Sequence, residues 1–142
     1  MTCQVLNRRA FAALSACFFA APPEAWAGSY LNRAALLVTG ATEDSSYLHA
    51  RVYDRELAFV IHKIAAARVE AASAMHVPKE VAQAHPHLLL VLENHERAAD
   101  AARDGEVQRF IVYKTRALEE ERTLRGVLKQ LGWSLPDLSK KS

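Results

Sequence analysis

The stretch that decides the fold is residues 85–105, HPHLLLVLENHERAADAARDG. Its inward-facing positions recur four, three, four and three residues apart, which is the spacing of one face of an α-helix. These positions are Leu88, Leu92, His95, Ala99 and Ala102. Pro86 marks the start, because proline is tolerated in a first helical turn. Asp104-Gly105 marks the end, because glycine readily adopts the left-handed conformation that closes helices. The stretch therefore predicts one helix followed by a tight turn.

Three further helices are predicted around this one. The first runs from about residue 29 to residue 53. The second begins at Asp54, a residue type that caps helix N-termini well, and ends before Pro78. The last runs from about residue 106 to residue 131, where Gly132 closes it.

Each of these helices carries an apolar stripe at helical spacing. In the first helix the stripe is Leu31, Ala34, Ala35, Val38, Ala41, Ser45, Leu48 and Val52. In the second it is Leu57, Val60, Ile61, Ile64, Ala67, Ala71 and Met75. In the last it is Val107, Phe110, Ile111, Lys114, Leu118, Glu121, Leu124, Leu128 and Leu131. Gly40 weakens the first helix, so the sequence leaves open whether that helix continues across it.

The short connections between these helices define the predicted architecture. Turns at residues 53–54 and 104–105 make consecutive helices antiparallel neighbours. The sequence therefore predicts an all-α, antiparallel up-down-up-down four-helix bundle over residues 28–138, with residues 139–142 as a C-terminal tail. The connection over residues 77–85 is longer and has room for a short turn at its proline. A length of 142 residues agrees with one domain.

Residues 1–27 have the pattern of an export signal. Arg8 and Arg9 supply the positive charge, an apolar run follows, and two prolines break it. Ala25 and Ala27 are the small residues that a signal peptidase reads, so we predict cleavage after Ala27 and a periplasmic or secreted protein. The apolar run is shorter than the ~20 residues of a membrane span, so none is predicted.

Residues 1–27 are called the leader below. Two motifs inside the leader leave open by which route the chain is exported. Residues 7–11, NRRAF, resemble the twin-arginine export motif, although Asn7 stands where serine or threonine is usual; Phe11 follows the arginine pair at the expected distance. That route carries folded proteins, but paired arginines also occur in general secretory signals. Residues 14–17, LSAC, resemble a lipobox, and in that alternative the leader ends before Cys17, which carries a lipid anchor.

The composition excludes several classes of protein. Both cysteines, Cys3 and Cys17, lie in the leader, so a chain cleaved after Ala27 has no thiol for a disulfide, an iron–sulfur cluster or covalent haem attachment. The sequence has no glycine-rich phosphate loop, no G-x-S-x-G and no paired Glu-x-x-His. A formal net charge of +2 gives no electrostatic footprint for nucleic acid. We therefore predict no catalytic site, no enzyme activity and no nucleic-acid partner.

Six histidines are the unusual feature of the chain. Antiparallel helices bring His76, His85 and His87 to one end of the bundle, at the level of Glu121. Imidazole and carboxylate groups bind Zn²⁺, Cu²⁺ or Ni²⁺, so these four residues form the predicted metal site. In the alternative interpretation His85 is a helix cap, His76 complements a helix C-terminus, and His87 is solvated.

His95 differs from the other histidines because it lies on an apolar stripe. A buried polar group needs a partner, and helix register places Tyr113 and Lys114 at its level. The main prediction is a hydrogen-bonded core histidine, with Lys114 extending to solvent. The alternative is a non-covalent haem held by His95, with His62 or Met75 as its second ligand.

Taken together, the sequence predicts an exported helical-bundle protein of the binding or structural class. Phe59, Val60 and Ile61 are consecutive, which gives the second helix a broader apolar arc than one seam of a bundle needs. A protein partner or a second copy of the chain would cover that arc. The alternative is a metal- or haem-binding periplasmic protein that uses the histidine cluster.

Overall fold

The computed structural model describes residues 23–138, and this part of the chain forms four α-helices and no strand. The helices are α1 (Pro23–His49), α2 (Arg55–Ser73), α3 (His85–Arg103) and α4 (Val107–Gln130), with a short 3₁₀ turn at Lys79–Val81. The predicted all-helical class with four helices is confirmed. No helix in the described region is long and apolar enough to cross a membrane.

The first helix is already present at Pro23, the first described residue, six residues before the predicted start at residue 29. Of the predicted signal, Ala25 and Ala27 thus lie within α1. The remaining leader residues and the tail lie outside the described residues: Arg8, Arg9, Phe11, Cys17 and residues 139–142. Helix α1 passes Gly40 without a break.

The observed helix N-termini agree in part with those predicted from the sequence. Asp54 caps α2, and its carboxylate accepts a hydrogen bond of 2.9 Å from the Leu57 N–H. Proline stands in the first turn of α3, as predicted. The suggestion that His85 caps this helix is wrong, because Ala84 occupies the cap position and no side chain bonds there.

Helices α3 and α4 end in the same glycine motif. Gly105 and Gly132 have φ angles of 78° and 83°, the left-handed region that suits a residue without a Cβ. The next N–H groups, of Glu106 and Trp133, each donate to the carbonyl five residues earlier at 2.8 Å. This is the Schellman motif, which satisfies carbonyls that the helix end would leave unpaired.

Two apolar clusters fill the interior around α3, which packs most extensively against α4 and α2 and less against α1. The largest buried side chains of the first cluster are Tyr30, Leu31, Leu88, Leu92, Leu124, Leu128 and Leu135. The second cluster is built around Leu48, Ile61, Phe110 and the alanines of α3 from Ala98 to Ala102. The predicted stripes of the first and third helices are buried throughout.

The predicted stripe of the second helix is wrong for most of its length. Val60 and Ile64 are 52% and 41% exposed. The buried residues of α2 are Ala58, Ile61, Ala65 and Ala72. Apolar residues occupy several faces of this helix, so periodicity alone allows two choices of inner face. The alanine face packs inward because small side chains let helix backbones approach closely, which leaves larger side chains outside.

Candidate functional site

A group of polar side chains lies between the two apolar clusters, and we call it the polar layer: Thr42, Asp44, Ser45, Arg68 and His95. At its centre the Ser45 hydroxyl and His95 Nδ1 share a hydrogen bond of 2.6 Å between α1 and α3. Both residues are buried, with 3% and 2% of their surface exposed. The predicted hydrogen-bonded core histidine is confirmed, but its partner is Ser45 rather than a residue of α4.

Charged groups surround this pair from three helices. Arg68 of α2 binds Asp44 of α1, with 2.7 Å between Nη2 and Oδ2. Nζ of Lys114, on α4, lies 3.0 Å from Nδ1 of His49. Burial lowers the pKa of Lys114. Burial, then the positive charges of Arg68 and Lys114, lower the pKa of His95 to about 4, while Asp44 acts in the opposite direction. His95 is therefore neutral at neutral pH.

Four buried polar atoms have no partner among the described residues, and three of them belong to the polar layer: Thr42 Oγ1, Arg68 Nη1 and His95 Nε2. The fourth is His62 Nδ1. Each such atom costs free energy unless a water, a ligand or a rearrangement satisfies it. A serine bound to an imidazole is also an arrangement used in nucleophilic catalysis. At 3% exposure, however, the Ser45 hydroxyl is closed to substrates in this conformation.

Gly40 makes room for the arginine of the polar layer. A Cβ built on Gly40 would lie 2.9 Å from Nη2 of Arg68, closer than ordinary contacts allow. The guanidinium group therefore rests against the backbone of α1, where it also reaches Asp44. The glycine that weakens the helix in the sequence has a packing role in the structure.

Replacing Gly40 by alanine should reveal an energetic coupling between Gly40 and Arg68. In an open helix interior the substitution stabilises by about 1 kcal/mol. Here the new methyl group displaces Arg68 from Asp44, so we expect a smaller gain or a loss. In a chain that also carries Arg68→Ala, the gain of about 1 kcal/mol should return. Urea unfolding of the four chains measures the coupling, and an equal effect of Gly40→Ala in both backgrounds would contradict it.

Two of the predicted metal ligands lie close to the expected level but bind different partners. His87 Nδ1 is 3.3 Å from Oε2 of Glu120. Glu121 instead accepts hydrogen bonds of 3.0 and 2.7 Å from the Arg125 guanidinium, four residues further along α4. The residue of α4 that contacts His87 is therefore Glu120, one position before the predicted Glu121.

The other two predicted ligands contact the start of α1. His85 Nδ1 and the Tyr30 hydroxyl are 3.0 Å apart, and burial raises the pKa of Tyr30 to about 12 and lowers that of His85. The ring of His76 meets the ring of Trp26 edge to face, with 5.8 Å between centroids. These histidines thus link the start of α3 and the loop before it to α1.

The structure does not assemble the predicted metal site from these residues. Within residues 23–138, no three histidine, cysteine, aspartate or glutamate side chains lie together in a group that could hold a metal ion. The histidines named for haem are also in different surroundings. His62 Nε2 lies 3.8 Å from the carboxylates of both Glu96 and Asp100. Met75, in contrast, lines a surface groove that includes neither His62 nor His95.

That groove lies between α1 and α2 and has a volume of about 290 Å³. Its lining is Arg33, Leu36, Leu37, Ala71 and Met75. Leu36 is 63% exposed at its edge. On α2, Val60 and Ile64 precede Ala71 at helical spacing, so these three residues lie on the same side of the helix, and Met75 follows just beyond the helix end. We name these five residues the α1–α2 apolar face: Leu36, Val60, Ile64, Ala71 and Met75.

Comparisons with protein-family models, with curated proteins and with solved structures find no match to this chain.

Proposed function

We propose that the chain is an exported periplasmic protein of the binding or structural class, and that it acts through its surface rather than through a catalytic site. The leader pattern around Arg8, Arg9 and Ala27 supports export. The burial of the Ser45–His95 pair supports a structural role for the polar layer, because a substrate would have no access to it. The observation that carries the proposal is the α1–α2 apolar face.

This face combines exposed apolar side chains of two neighbouring helices. Leu36 of α1 exposes 63% of its surface, and Val60 and Ile64 of α2 expose 52% and 41%. Arg33 is the single charged residue that lines the adjoining groove. Exposed apolar side chains grouped around a groove are typical of protein interaction sites.

We propose a second copy of the chain as the occupant of this face. An apolar strip on a helix pair can pack against the same strip of another copy about a two-fold axis, the commonest symmetry of soluble oligomers. A small net charge on the chain offers little repulsion to that contact. The partner strip would fill the groove between α1 and α2 and bury Val60 and Ile64.

Substitution of Val60 by lysine should convert a dimer into a monomer. Light scattering of the purified chain should give twice the chain mass for the wild type and a single chain mass for Val60→Lys. Val112→Lys is the matched control, because Val112 is 47% exposed on α4, outside the face. A wild-type chain that stays monomeric, or equal effects of the two substitutions, would overturn the proposed dimer.

The proposed architecture is the up-down-up-down order of the four helices. Ion pairs that join consecutive helices support it: Asp44 with Arg68, His62 with Asp100, and His87 with Glu120. Between α1 and α3 the numbers rise together, from Tyr30–His85 to Ser45–His95. An antiparallel bundle has this pattern of pairing.

The metal- or haem-binding alternative is kept as a second proposal because His95 Nε2 is buried without a partner while Nδ1 is held by Ser45. A histidine that ligates through one nitrogen usually has the other fixed by a hydrogen bond. Elemental analysis and an absorption spectrum of the chain from metal-replete cells test it. Stoichiometric metal lost in His85→Ala and His87→Ala, or a Soret band lost in His95→Ala, would favour this proposal.

A further inference from the structure

The first two turns of α1 are part of the folded core. Ala27 is fully buried, and Tyr30 and Leu31 expose only 3% and 4% of their surface. All three belong to the first apolar cluster. The predicted cleavage point between Ala27 and Gly28 therefore lies inside a helix whose inner side packs against the rest of the bundle.

Contacts with His76, in the loop before α3, and with His85, the first residue of α3, hold this end of the helix in place. The Tyr30 hydroxyl shares its hydrogen bond of 3.0 Å with His85, and Trp26 packs edge to face on His76. These contacts flank the Ala27–Gly28 bond on both sides. Unwinding the helix to reach that bond breaks them and exposes Ala27.

A signal peptidase binds the residues before its cleavage point as an extended segment. In the folded chain these residues are helical from Pro23 onward, and the residue before the bond has no exposed surface. We propose that folding of α1 onto the bundle closes the Ala27–Gly28 bond to the peptidase, so that the leader is removed there only before the chain folds. This inference rests on the proposed export function.

The order of events distinguishes the two export routes. The twin-arginine route carries folded proteins, whereas the general secretory route carries unfolded chains. A chain that is cut rapidly after Ala27 has not yet packed α1 onto the bundle when it meets the peptidase, so rapid cleavage at this bond fits the general secretory route. The NRRAF motif at residues 7–11 then acts as an ordinary positive leader segment.

Cleavage of the full chain by a purified signal peptidase in detergent micelles tests the inference. The folded wild type is compared with Leu88→Asp, which places a charge at a fully buried position of the first cluster and unfolds the chain. Leu90→Asp is the matched folded control, since Leu90 is 38% exposed on the same helix. Circular dichroism verifies the folded state of each chain, and mass spectrometry detects loss of residues 1–27.

We expect the wild type and Leu90→Asp to be cut about 100-fold more slowly than Leu88→Asp, because the bond opens only by local unfolding. Equal cleavage rates in all three chains would overturn the inference and leave the export proposal intact. Failure to cut even the unfolded chain would refute cleavage after Ala27, and the inference would fall together with that part of the proposed function.

Discussion

Acidification from about pH 7 to pH 4 should lower the free energy of unfolding by about 3 kcal/mol through His95 alone. The ordinary pKa of histidine is 6.5, and that of His95 in the fold is lowered to about 4 by burial and by the charges of Arg68 and Lys114. Above pH 6.5 the imidazole is neutral in both states, so its contribution is constant. Between pH 6.5 and 4 the unfolded chain binds a proton that the folded chain does not, and stability is lost.

The variant His95→Gln isolates this contribution. Glutamine keeps a polar group beside Ser45 but cannot bind a proton in this range. Urea unfolding across the pH series should show a loss of stability that is about 3 kcal/mol smaller in His95→Gln than in the wild type. His87→Gln serves as the control, because it replaces a half-buried histidine that lies beside Glu120, outside the polar layer.

NMR titration of the His95 ring in the folded chain gives a direct second measurement. The ring should remain neutral until the pH approaches 4. Titration of His95 near pH 6.5 in the folded state would refute the prediction, whatever the unfolding curves show.

The sequence predicts the helices of this protein where a local signal marks them. Pro86 and Gly105 bound α3, Asp54 caps α2, and Gly132 closes α4, because each of these residues has a conformational preference that acts without tertiary contacts. The N-terminal end of α1 has a weaker signal. An alanine-rich segment that ends in Ala-x-Ala satisfies both the pattern of a cleavage site and the propensity for a helix.

The inner face of α2 could not be chosen from periodicity. Ala58 and Ala65 are buried while Val60 and Ile64 are half-exposed, which reverses the order expected from hydrophobicity. Close packing against α3 decides the outcome, because the small side chains allow a short distance between helices. The valine and isoleucine that remain exposed belong to the α1–α2 apolar face, which the sequence indicated only as a broad apolar arc on the second helix.

At the centre of the polar layer, the burial of the two residues could be predicted from the sequence, but their hydrogen bond could not. Ser45 and His95 both lie on predicted stripes, so their burial follows from spacing. Their pairing does not, because the register between α1 and α3 depends on how both helices pack rather than on a connecting turn. The same uncertainty of one residue separates the predicted Glu121 from the observed Glu120 beside His87.

Replacement of Phe110 by alanine should cost about 3–5 kcal/mol of stability, the largest loss that we expect from a single truncation. Phe110 is fully buried in the second apolar cluster, and the ring of His49 packs edge to face on it at 5.5 Å. Truncation removes the whole ring from a site bounded by Leu48 and the alanines of α3. Alanine side chains cannot extend to refill the cavity, so the loss should lie toward the upper part of this range.

Phe59→Ala provides the matched control, because Phe59 is 49% exposed on α2. Its truncation removes the same atoms from a site that solvent already reaches, so we expect a loss of about 1 kcal/mol or less. Urea unfolding followed by circular dichroism measures both variants at neutral pH, where His95 is neutral. Similar losses for the two phenylalanines would contradict the assignment of Phe110 to the core. A large loss confined to Phe110→Ala would show that the second cluster depends on this ring.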